Sequence, residues 1–216
     1  HHLEDNKSSD PSSTMRYRRD NFFDFMRYFL TFTVHAATDT IRYHKDNSRT
    51  NLAKKIKMEE FCFYLLIILL FILNWWATTV VLIVPHLVSR FIFMVGNWAN
   101  HAFIDPNEPN NIYKNSINII ESFHNRRNFN DGYHIEHHFK PSMHWADLPA
   151  EFEVNVDNYV KNDAIVFKKI NYIVIWYWLM TKNYKKLAHN FVQLAGADKR
   201  SNDEIIALLK SRTIAM

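Results

Sequence analysis

With 216 residues, 48% of them hydrophobic and 15% aromatic, the chain is long enough for one domain with a sizeable core, yet its mean hydropathy is slightly negative, so the apolar residues are concentrated in part of it. The net charge of +4 is spread from Arg16 to Arg212 among many Asp and Glu, which argues against a nucleic-acid partner and for an anionic membrane surface. A lone cysteine, Cys62, excludes an internal disulfide and reads as a buried, inert thiol in the apolar run.

The chain opens on His1-His2-Leu3-Glu4-Asp5-Asn6, with neither an initiator Met nor a signal peptide. In isolation this fits an affinity-tag remnant as well as a ligand pair. Ser8-Ser9-Asp10-Pro11-Ser12-Ser13 then carries turn and helix-start signals ahead of Arg16-Tyr17-Arg18-Arg19-Asp20. Phe22, Phe25, Met26, Phe29 and Leu30 recur at helical spacing and predict an amphipathic helix, whose aromatic density and basic flanks suit a membrane interface better than a soluble core.

From Phe61 to Val84 almost every residue is apolar, enough for one crossing of a bilayer. If His101 shares a site with the other histidines, the chain must cross and return. A turn at Pro85 leaves about fourteen residues before His101, too few at ~1.5 Å each for a hydrocarbon core of roughly 30 Å. A turn at Asn74-Trp75-Trp76-Ala77-Thr78-Thr79 instead predicts a hairpin with spans of about 58–73 and 80–98, the tryptophans at headgroup level and Lys54, Lys55 and Lys57 on the cytoplasmic side. On the return span His86, Arg90, Asn97 and His101 share one helical face, and such a stripe should point inward. With a single span, His86 and Arg90 would merely snorkel or lie in a loop.

Residues 105–129 read as a polar, Asn-rich connection with a short helix outside the membrane. Asn130-Asp131-Gly132-Tyr133 leads into His134, His137 and His138, whose offsets of i, i+3 and i+4 put three imidazoles on one helix face. Neutral imidazoles without thiolates suit zinc, copper, iron or nickel. Pro141 and Pro149 punctuate a loop, residues 164–189 read as one or two amphipathic helices at an interface or in the core, and Ser201-Asn202-Asp203-Glu204 starts a final helix. His35, His44, His124 and His189 read as ordinary surface or interfacial histidines, and His144 stays open between that and an outer-sphere position.

Taken together, these residues resemble the membrane-bound fatty acid desaturases over most of the chain. His134, His137 and His138, with the preceding Asn-Asp-Gly-Tyr and the following His144-Trp145, match the third histidine box of that family. His101 and Asn97 match its additional histidine and companion asparagine. His1 and His2, followed by Glu4-Asp5-Asn6 and Ser12-Ser13-Thr14, match the end of the second box, which decides against a tag remnant. The first box, the first histidine of the second and two preceding membrane helices have no match. The resemblance therefore implies that residues 1–216 are a desaturase domain lacking its N-terminal part, about the C-terminal two-thirds.

The implied fold is all-α: a membrane hairpin at about 58–98 plus interfacial and cytosolic helices carrying a histidine-box metal site. The implied ligands are His1, His2, His101, His134, His137 and His138, with Asn97 and Asn130 in the outer sphere. The implied cofactors are two iron ions, with O2 as co-substrate, an acyl lipid or acyl-CoA as substrate, and cytochrome b5 or ferredoxin as electron donor. The site would face the cytoplasm from an integral membrane protein, in the endoplasmic reticulum if the source is eukaryotic. The intact protein would insert a double bond into an acyl chain, whereas residues 1–216 alone would bind metal weakly and be inactive. A lipid hydroxylase or other monooxygenase on the same scaffold, and a membrane subunit that has lost activity, are the alternatives. A zinc hydrolase fits less well, because Glu136 lies in the wrong register for a His-Glu-x-x-His helix.

Overall fold

A computed structural model describes residues 1–216, mostly as helices. They group into two units, one made of residues 1–26 and 95–216 and the other of residues 27–94.

The second unit is built from parts of long helices, two of which extend beyond its bounds. The aromatic repeat forms α1 (Phe22–Asp46), and the apolar run begins inside α2 (Thr50–Leu73). The break comes at Asn74, the first residue of the predicted turn. Its extended backbone interrupts the helix and its side-chain oxygen accepts the Ala77 N–H at 3.0 Å, capping the next helix. That helix starts five residues earlier than expected, as α3 (Trp75–Thr78), and continues through a π-helical turn (Thr79–Ile83) into α4 (Val84–Asn100). Pro85 explains the π turn: it donates no N–H and its ring crowds the carbonyl four residues back, so widening the preceding turn lets the helix continue. Phe63 meets His86 with ring centroids 5.4 Å apart, a contact across the break that requires the chain to double back.

Trp75–Asn100 is long and apolar enough to cross a membrane. The expected first span, 58–73, is shorter in apolar length because Glu59 and Glu60 follow its first residue, Met58. Ala53 is the one buried residue of α2, and Phe61, Leu65, Leu66, Ile68, Leu69, Phe71, Ile72 and Leu73 are all exposed. Cys62, expected to be buried, is exposed with them, because this helix face has no protein neighbour. Of the predicted polar stripe, His86 packs on Phe63 and Arg90 lies 5.9 Å from the Phe32 ring centroid, so both meet aromatic partners within the unit.

The first unit corrects the all-α expectation. Ile117–Ile120 (β1) and Ile165–Lys168 (β2) pair in parallel, Ile117 with Ile165 and Asn118 with Val166. Parallel strands need a long crossover, supplied here by α6 (His134–Phe139) and α7 (Leu148–Lys161); α5 (Ile112–Asn115) leads into β1. The stretch expected to be wholly helical between 164 and 189 therefore opens as a strand, followed by α8 (Tyr172–Met180) and α9 (Tyr184–His189).

One apolar cluster contains Ile117, Ile119, Ile165 and Phe167 with side chains of α8, α9 and α10 (Asn202–Ser211). A second contains Val166 with Ile135, Phe152 and Tyr159, so successive strand residues serve different cores. The predicted start of α10 is present as a reciprocal capping box between Ser201 and Glu204.

Arg19 is fully buried and places the N-terminal segment. Its guanidinium donates to the carbonyls of Thr14, Met15, Tyr17, Ala102, Arg212 and Ile214. Burial pulls its pKa down to about 10, which still leaves it charged at neutral pH. These bonds tie residues 14–19 to the chain just after His101 and to the C-terminal tail.

Candidate metal centre

The six histidines singled out from the sequence lie together in the first unit. Nε2 of His101 stands 3.1 Å from Nε2 of both His1 and His134, and Nε2 of His138 stands 3.0 Å from that of His134. The donor nitrogens of these four residues all lie within 4.8 Å of one another. His2 and His137 form a separate pair, Nε2 to Nε2 at 3.1 Å, and the His2 ring is 5.1 Å from that of His138. The i, i+3, i+4 pattern thus splits: His134 and His138 turn to the four-residue group, His137 to the pair.

The other ring nitrogens show why the four converge. Nδ1 of His1 donates to Asp10 Oδ2 at 2.7 Å, with Ser12 Oγ 3.2 Å away. Asp10 is itself held by the backbone and hydroxyl of Ser12 and by the Asn6 N–H. Nδ1 of His101 donates to the Asn115 carbonyl at 2.8 Å, and Nδ1 of His138 to Asp5 Oδ1 at 2.9 Å. A neutral imidazole carries one N–H, so these bonds leave the Nε2 atoms of His1, His101 and His138 as bare lone pairs. His1 and His101 then aim two acceptors at each other from 3.1 Å, which is repulsive unless a cation lies between them.

Tetrahedral nitrogens bonded to one ion at ~2.0–2.1 Å stand roughly 3.3–3.4 Å apart, close to the shortest separations here. The donor set and its spacing therefore fit a metal ion. His134 is the exception in its outer bond, since its buried Nδ1 has no partner.

Burial keeps the imidazoles of His101, His134 and His138 neutral and ready to bind. It pulls His101 down to about 4 and His138 to about 2, and drives His134 well below its ordinary value. A depressed histidine pKa means that the unfolded chain takes up protons first. Stability of the metal-free protein is thus fully present above about pH 6.5 and is lost as pH falls from there toward 4. For His101 alone the loss at pH 4 is about 3 kcal/mol. Asp5 and Glu136, whose carboxyls burial pushes up, offset part of it in the carboxylate range. Denaturant unfolding at pH 7.5, 6 and 5 should give successively lower midpoints, and equal midpoints would contradict the neutral, buried state.

Asn97 donates from Nδ2 to the Ser12 carbonyl at 3.0 Å, so it steadies the segment that carries Asp10 and reaches His1 through it. Asn97→Leu is expected to leave folding and membrane insertion intact and to lower metal affinity by about tenfold, as loss of an outer partner does. Unchanged affinity in a chelator competition would assign Asn97 to packing. Asn130 bonds instead to the Trp145 carbonyl at 3.0 Å from a left-handed backbone, which places it in the loop before α6 rather than at the imidazoles. His144 is exposed and accepts the Ala146 N–H at 3.3 Å.

Sequence reasoning did not assign roles to Asp5 and Asp10, although both lie in the segment that follows His1 and His2, where carboxylate partners of imidazoles could be sought. The Asn115 carbonyl leaves no sequence signal, because any residue supplies one.

A family model described as fatty acid desaturase matches residues 1–169, a span that holds all six histidines. No curated protein and no solved structure matches the chain.

Proposed function

The chain belongs to the fatty acid desaturase family, and from that premise we propose that it provides the metal site of an O2-dependent acyl-lipid desaturase. The observation that carries this reading is the convergence of four imidazole nitrogens, three of them on rings whose opposite edges are held by Asp10, Asp5 and the Asn115 carbonyl. His1, His101, His134 and His138 would hold one iron ion, and His2 with His137 would contribute to a second. Iron with O2 supplies the oxidising power that amino-acid side chains lack and that an unactivated methylene requires.

Burial would keep His101, His134 and His138 neutral, while Asp10, the Asn115 carbonyl and Asp5 would fix which nitrogen of His1, His101 and His138 faces inward. Overall, an acyl –CH2–CH2– unit, O2, two electrons and two protons would give –CH=CH– and two waters. The electrons would come from cytochrome b5 or ferredoxin, and the acyl chain would be carried as a lipid or CoA thioester. We further propose that α2 and the helix Trp75–Asn100 form the membrane hairpin, because the exposed apolar faces of α2 and of the following helix are far larger than water tolerates. The histidine cluster would lie on the cytoplasmic side of that membrane.

His2 and His137 are two imidazoles, short of a closed coordination shell, so residues 1–216 alone should hold one ion firmly and not turn over. The test is mass spectrometry of acyl chains from a host expressing the full reading frame. Loss of two hydrogens per chain supports desaturation, and gain of one oxygen reassigns the protein to hydroxylation. Neither product from metal-loaded protein would overturn the enzymatic reading in favour of a metal-binding membrane subunit.

A further inference from the structure

The element that presents His134, His137 and His138 is six residues long. A helix this short is not stable by itself, and Tyr133 at its N-cap makes no side-chain cap. Its orientation must come from its surroundings.

The surroundings are unusual in being polar. Asn118, fully buried in β1, accepts the Ile135 N–H through Oδ1 at 2.9 Å and donates from Nδ2 to Glu136 Oε2 at 2.6 Å. Tyr159 of α7, also fully buried, donates its hydroxyl to Glu136 Oε1 and accepts from Asn118 Nδ2 at 2.7 Å. Glu136 is 3% exposed and has no cationic partner, a costly arrangement beside a cluster of Ile135, Phe152, Ala164 and Val166 that a leucine would extend. At ~100° per residue, Glu136 projects from the side of α6 opposite His134 and His138.

We propose that Glu136, gripped by Asn118 and Tyr159, is the positioning residue of the histidine cluster: it fixes the rotation of α6 about its own axis and so the direction in which His134 and His138 present Nε2. Side-chain tips lie roughly 5–6 Å from a helix axis, so a turn of about 10° moves a nitrogen by about 1 Å. That displacement is large against the spacing of a metal's ligands. A leucine would fill the space behind α6 without specifying its rotation; a carboxylate bound by two donors from two other elements specifies it. This also accounts for the position of Glu136 within the histidine triplet without any part in proton transfer at the metal.

The inference rests on the four-histidine group binding an ion, and the experiment separates the two. Cobalt(II) is titrated into the purified chain in detergent, with chelator competition for affinity, the visible spectrum for ligand geometry, and thermal unfolding of the metal-free form. Failure of the wild-type chain to bind cobalt sinks the metal reading itself. With wild-type binding in hand, Glu136→Gln should keep the metal-free midpoint within a few degrees, lower affinity about tenfold or more and alter the spectrum. Tyr159→Phe, which removes one oxygen, should do the same to a smaller extent, and it decides the matter if Glu136→Gln does not fold. Wild-type affinity and spectrum in the deciding variant overturn the proposal. So does a loss of affinity matched by a fall in the metal-free midpoint, which would make Glu136 an ordinary core group.

Discussion

His101→Ala is expected to abolish stoichiometric metal binding, lowering affinity by at least about 100-fold, while His137→Ala leaves binding of one ion intact. His101 is 1% exposed, and its Nε2 approaches two of the other three imidazoles at 3.1 Å, so it is the hub of the group. Its removal also leaves the Asn115 carbonyl and the Ser116 hydroxyl facing an empty space. Loss of an outer partner already costs ~10–100-fold, and loss of a ligand should exceed it. His137 faces His2 instead, so the same substitution there removes half of the pair and none of the four. His189→Ala, at the exposed last residue of α9, serves as the control and should change nothing. Equal losses in His101→Ala and His137→Ala would show that the six imidazoles act as one site, against their division into a group of four and a pair.

Gly132→Ala should destabilise the fold by about 3 kcal/mol and weaken metal binding with it. A Cβ at Gly132 would stand 2.4 Å from the Ile119 carbonyl and 2.4 Å from Asn125 Oδ1. Neither can yield cheaply. The Ile119 carbonyl belongs to β1 and accepts from Asn125 Nδ2 at 2.8 Å, while Asn125 Oδ1 accepts the Gly132 N–H at 3.1 Å. Gly132 also returns its own carbonyl to the Ile119 N–H at 2.6 Å, locking the lead-in to α6 against the strand. Overpacking of this kind costs ~1–3 kcal/mol or more when backbone must move. Here the segment that moves carries His134 two residues later. A thermal midpoint within a degree of wild type would show that the two segments are not locked.

The parts of the site that were legible in the sequence are those written in local spacing. His134, His137 and His138 follow helical period, and the break before Trp75 was readable because a return long enough to reach His101 needs a turn near Asn74, with two tryptophans at headgroup level. The convergence of His1 and His2 with residues 100 positions away was legible only through family resemblance, since no periodicity joins them. The strands were missed because their pairing is non-local: Ile117 finds Ile165 across a crossover containing α6 and α7. Their β-branched content was a signal, but four residues are too few for an alternation to stand out. In the sequence, Glu136 shows only the wrong register for a general base. What it does depends on Asn118 and Tyr159, which reach it from a strand and a helix remote in sequence.

The central claim is that His1, His101, His134 and His138 form one four-histidine metal site, distinct from the His2 and His137 pair. A crystal structure of the metal-loaded chain with anomalous scattering at the metal edge tests it most directly. The account predicts a strong peak bonded to four Nε2 atoms, those of His1, His101, His134 and His138, and a weak or absent peak between His2 and His137. A dominant peak between His2 and His137, or an ion held by fewer than three of the four, would contradict it.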